Sequence, residues 1–292
     1  MRFARVCAAA LLMLLVAACG GRDDTAAPPP VPTFANWPAT LDGFRFRWAA
    51  EPGIDLLSGP AVPLRAYLES HRLGDLTSNP DDAYPGFKRA VPSAGKPIDQ
   101  PSSTLPFQLW SIQPATLPAL VYLQPTRFYG NEYFHILDLT PIDGGGYRAY
   151  ICDGLYNVFH EAADSHKLLP VYRPDADVFA VEVWRVELTD TPPVPPGAPP
   201  AAAAPQQGRN PAPLGDVFGP WRITGASPNT SWGATDGSDP EAGADPATSQ
   251  LRERCRNLMP HDAAQRQAIY ASRLDTPPVA EPAVPGWPDN AA

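Results

Sequence analysis

The chain has 292 residues, 44% of them hydrophobic and 18% charged, with 39 prolines and a formal charge of -9. That acidic balance excludes nucleic acid and anionic membrane surfaces as electrostatic partners, because a net-negative chain has little basic surface to release counterions from phosphates. Length allows one ordinary domain with appendages, and prolines far above the usual share of about 5% mark where the appendages lie.

The N-terminus has the layout of an export signal. Arg2 and Arg5 are followed by an apolar run, Ala8–Val16, of signal-peptide length and shorter than the roughly 20 residues of a transmembrane helix. The stretch Val16-Ala17-Ala18-Cys19 then resembles the bacterial lipoprotein lipobox. The resemblance implies cleavage after Ala18, acylation of the Cys19 thiol, and an extracytoplasmic protein anchored to the cell membrane by lipid (palmitate-type chains), at about 0.8 kcal/mol per buried CH₂. An ordinary secretory signal ending before a cysteine is the competing reading. Loss of residues 1–18 removes Arg2 and Arg5 and leaves 20 basic against 31 acidic residues, a formal charge of -11. The chain as a whole also resembles lipoproteins of high-GC actinobacteria, a likeness that implies an envelope address and no activity.

Residues 19–33, with "RDDTAAPPPVPT", read as a lipidated cysteine and an extended Pro-rich tether. Residues 34–190 have the apolar content of a folded α+β domain. In "GPAVPLRAYLESHRL", Leu64, Tyr67, Leu68 and His71 recur at helical spacing, and Pro63 suits a first turn. "YFHILDLT" (133–140) and "YRAYICD" (147–153) flank Gly144, Gly145 and Gly146, which predicts a β-hairpin. "VFAVEVWRVEL" (178–188) predicts a third strand, with Phe179, Val181 and Val183 on one face and Ala180, Trp184, Val186 and Leu188 on the other. A helix before antiparallel strands points to an antiparallel sheet with helices on one side. This order, over part of residues 44–190, resembles the NTF2-like fold, a curved sheet around a helix enclosing a pocket.

Residues 191–213 read as a Pro/Ala linker, 214–275 as a small helical and loop segment too poor in apolar residues to stand alone, and 276–292 as a loose Pro-rich tail. "SQLRERCRNLM" places Leu251, Cys255, Leu258 and Met259 on one helical face. Asp262 and Gln265 spell a D-x-x-Q capping box for a second helix. These helices dock on the main domain or, alternatively, on another protein. Cys7 leaves with the signal and Cys19 takes lipid, so Cys152 and Cys255 remain in a disulfide-permissive compartment. They are expected to pair; two buried free thiols are the alternative.

Catalytic motifs are sparse. "HEAADSHK" (160–167) has Asp164 where the zinc-protease motif needs its second histidine, and His160 and His166 are too far apart to share one helix face. "TDGSDPEAGAD", with Asp236 and Asp239, lacks the ligand pattern of a calcium loop. No nucleophile elbow, P-loop or dinucleotide fingerprint is present, and no cofactor is indicated. NTF2-like enzymes resemble a pocket in which Asp or His moves a proton, which makes His135 and Asp153 catalytic candidates and Tyr133, His135 and Tyr150 candidate pocket residues. The simpler reading leaves His135 half-buried in the sheet and Asp153 in a turn. The expectation is therefore a non-enzymatic envelope lipoprotein that binds a small apolar ligand or an envelope partner, with a small pocket isomerase or hydrolase as the alternative.

Overall fold

A computed structural model describes residues 34–92, 105–114, 125–162, 165–172, 180–228, 232–233 and 248–290, all within the compact unit Pro32–Ala292. Residues 1–33, with Cys19 and the tether, lie outside the described residues, as do Asp164, Phe179, Asp236 and Asp239. Among the described residues, no helix is long and apolar enough to cross a membrane.

The chain is α+β, built on one six-stranded sheet. The elements that matter are β1 (Gly43–Ala50), α1 (Ala61–Thr77), β2 (Phe128–Pro141), β3 (Tyr147–Glu161), β4 (Leu168–Pro170), β5 (Val181–Thr189) and β6 (Arg222–Pro228). Two short helical turns, α2 (Phe87–Ala90) and α3 (Phe107–Trp110), precede β2, and α4 (Thr248–Leu258) and α5 (Ala263–Ala271) follow β6. Strand order is β1-β2-β3-β5-β6, with β4 beside β3.

The hairpin forms where the glycines place it. Gly144, Gly145 and Gly146 adopt φ of 86°, 87° and 117°, a region closed to most side chains. The sheet is mixed rather than antiparallel, because β1 pairs with β2 in parallel. The intervening stretch carries α1 and returns the chain in the same direction, as parallel neighbours require.

Helices also cover both faces instead of one. Alternation sends Phe46, Trp48, Phe134, Ile136, Ile151, Trp184 and Val186 to the core beneath α1. It sends Tyr133, Leu137, Cys152, Tyr156, Val181 and Val183 to a second cluster with Cys255, Met259 and Tyr270. Ala180, expected to share Trp184's side, belongs to this second cluster. The Cys152–Cys255 disulfide, with Cα atoms 5.2 Å apart, ties α4 to β3, and the Asp262–Gln265 capping box starts α5.

The expected linker and tail, where described, are folded in. Strand β6 joins the sheet beside β5, and Phe218, Trp221 and Ile223 enter the α1-side core. So residues from 214 onward do not form a purely helical and loop piece. Gln206, inside the expected linker, is buried and donates its N–H to Leu57 O at 2.8 Å. The expected loose tail is a strap. Trp48 N–H donates to Val284 O at 2.5 Å along the edge of β1, and Trp287 is 1% exposed. The strap supplies partners to an otherwise open strand edge.

What holds it is a buried carboxylate on α1. Glu69 accepts from Trp48 Nε1 at 2.7 Å, Tyr84 OH at 2.7 Å and Trp287 Nε1 at 2.8 Å. Arg65, one turn earlier, stacks over the Trp287 ring at 4.3 Å and donates to Pro285 O at 2.8 Å. Burial raises the Glu69 pKa, while Arg65 and the three donors pull it back. Proline-rich composition marked the segment as a loose tail; Trp287, placed to reach Glu69, makes it part of the core.

Candidate functional site

A cleft of about 240 Å³ lies on the α4–α5 side of the sheet, at its β1–β2 end. The strands supply its floor. Parallel register sets Arg47 opposite Tyr133 and Ala49 opposite His135, and alternation points these four away from the α1-side core that takes Trp48 and Phe134. Leu258, Met259 and Pro260, at the end of α4, form one wall, and Glu281 of the strap forms another. The disulfide fixes that first wall, because Cys152 is the register partner of His135.

Polar groups sit at the two ends. At one, Arg47 pairs with Glu281 at 3.2 Å and donates to Pro282 O at 2.7 Å. At the other, Glu51 accepts from Arg254 Nη2 at 2.8 Å, with His135 Nε2 3.5 Å from the same oxygen. That distance satisfies Coulombic attraction but not hydrogen-bond geometry, so Nε2 is buried without a hydrogen-bond partner. Burial lowers the His135 pKa, opposed by Glu51, which favours a neutral imidazole.

Beside the cleft is an aromatic stack. Tyr133 and Tyr156 lie 5.7 Å apart and nearly parallel. Asn157 Nδ2 donates to Tyr133 OH at 3.1 Å, and Tyr156 OH contacts His261 Nδ1 at 2.9 Å. Burial raises both phenol pKa values and lowers that of His261. These groups are neutral, stacked and hydrogen-bonded, which suits binding an uncharged surface rather than activating a nucleophile.

Of the residues singled out from sequence, Tyr133 and His135 meet at the cleft. Tyr150 packs against the disulfide-side cluster and is not part of the lining. Asp153 pairs in register with Phe134 and faces α1, where Arg72 and Trp184 hold it. His135 and Asp153 are thus on opposite faces of the sheet and cannot act on one substrate atom. His166 is exposed and pairs with Glu161 at 3.1 Å, and among the described residues no three His, Cys, Asp or Glu side chains form a metal-binding group. Sequence reading passed over Arg47, Ala49 and Glu281. The alternation in "FRFRWAA" signals the first two; nothing local signals Glu281, which arrives through the strap. No protein-family profile, curated protein or solved structure matches the chain.

Proposed function

We propose that this is a membrane-anchored cell-envelope lipoprotein, non-enzymatic, whose folded unit binds a small apolar molecule in the cleft between β1–β2 and Leu258–Pro260. Anchoring rests on the lipobox around Cys19. Binding rests on the cleft itself, which Ala49, Tyr133, Leu258 and Met259 line alongside Arg47, His135 and Glu281. Its volume is below the ~300–1,000 Å³ of drug-sized sites, so the occupant is small. The alternative, a pocket enzyme on an NTF2-like cone, draws support from His135 at the cleft, while Asp153 on the other face weighs against it.

The test is Ala49→Trp, which fills the cleft from an exposed position on β1 without touching the core. Native mass spectrometry after gentle detergent extraction compares it with wild type. A small-molecule adduct on wild type that is lost in the variant supports the reading; equal adducts on both would sink it. For the anchor, Cys19→Ser should abolish partitioning into detergent, and unchanged partitioning would refute lipidation.

A further inference from the structure

Beneath α1, β2 and β3 converge on one guanidinium. Arg72 donates from Nε to Glu132 Oε1 at 2.8 Å and from Nη2 to Asp153 Oδ2 at 2.6 Å. Trp184 Nε1 donates to the same Asp153 oxygen at 3.0 Å. The Glu132 and Asp153 side chains are 0% and 2% exposed. These bonds occupy one oxygen of each carboxyl. The other two, Glu132 Oε2 and Asp153 Oδ1, are buried and receive no donor, and both carboxyls converge on the one guanidinium, through its Nε and Nη2.

Two ionised carboxylates cannot rest this way. Each orphaned buried oxygen has given up its hydrogen bonds to water without replacement, and the two charges repel across a medium that screens poorly. One proton resolves both defects. We propose that Glu132 is protonated and donates to Asp153 Oδ1, so that the pair is a buried proton-binding site carrying one negative charge against Arg72.

The surroundings favour retention. Asp75 on α1 is 3.8 Å from Arg72 Nη1 and is hydrogen-bonded to His71, whose ring lies edge-on to Trp184 at 5.1 Å. Glu182 on β5 stands opposite Asp153 in the ladder, and Tyr172 also acts on Arg72. Burial raises the Glu132 pKa well above the carboxylate range; Arg72 opposes that rise and Asp153 adds to it.

The site makes the α1–sheet joint sensitive to pH. The folded chain keeps a proton that the unfolded chain releases above about pH 4.3. Folding therefore weakens as pH rises from there, by up to about tenfold in the folding constant per unit, until the pair lets its proton go. Acid tightens this joint and alkali loosens it.

Isotope-edited infrared spectroscopy on the full chain with ¹³C-carboxyl glutamate reads the proton directly. A protonated-glutamate band at neutral pH, absent from Glu132→Gln, is expected. Absence of that band in wild type would overturn the proposal. Glu69 is also buried, so where Glu132→Gln fails to fold, the band must persist in Glu69→Gln; its loss there would equally refute the assignment. In parallel, the urea midpoint of wild type should fall with rising pH more steeply than that of Glu132→Gln, whose amide makes the same bond without titrating. Parallel curves would overturn the proposal.

Discussion

Replacing Cys152 and Cys255 together by alanine removes the one covalent tie between β3 and α4. The bond joins residues 103 apart, and loop-closure entropy for a ring of that size gives about 4.7 kcal/mol at 25 °C. Where that loss falls follows from burial. In α4 only Thr248 and Cys255 are buried, and in α5 only Arg266 and Tyr270, whereas β3 is buried along most of its length. The α4–α5 layer should therefore open on its own before the sheet does. Hydrogen exchange read by mass spectrometry is the assay. Amides of 250–271 should lose up to about three decades of protection, while the centres of β3 and β5 keep theirs. Uniform loss across β2, β3 and β5 would refute a separable layer, and no loss anywhere would refute a stabilising role for the bridge.

Two further outcomes follow from the packing. Trp287→Ala empties a buried slot and takes one donor from Glu69, so urea unfolding should show a loss of about 3–5 kcal/mol; a change within about 0.5 kcal/mol, as for a surface residue, would return the strap to a loose tail. His261 is held below its ordinary pKa by burial and by Arg266, against Glu281 and Asp262. Its neutral form is the one the fold favours, so its contribution is present above about pH 6.5 and fades as pH falls through the lowered folded value. Exchange at 255–265 should quicken on acidification in wild type and less so in His261→Gln; equal acid responses would contradict this.

Local signals located the central elements. Three glycines in a row could serve only a turn, and the hairpin formed around them. Helical spacing found α1, though not that fourteen of its seventeen residues would be buried; periodicity reports one apolar face, and the second cover comes from distant segments. Charge was the least legible property. Helical spacing singled out the apolar face and said nothing of Arg65, Glu69 and Arg72, yet Glu69 binds Trp287, 218 positions away, and Arg72 binds β2 and β3. Strand β1 was present in the alternation of "FRFRWAA" and was passed over; β6, "RITGASP", has a central glycine and little pattern of its own. The pairing of Cys152 with Cys255 was legible because the other two cysteines, Cys7 and Cys19, fall in the stretch that reads as an export signal and lipobox. For the cleft, Tyr133 and His135 were legible as one face of a strand, whereas Glu281 became a neighbour only through the strap's path.

The most direct test of the proposed binding role is the mass of the folded chain after gentle detergent extraction of the cells that make it. Native spectra of gently extracted wild type should show a small adduct that Ala49→Trp lacks while retaining the same thermal stability. A bare wild-type mass under conditions that preserve known protein–ligand complexes would contradict the account.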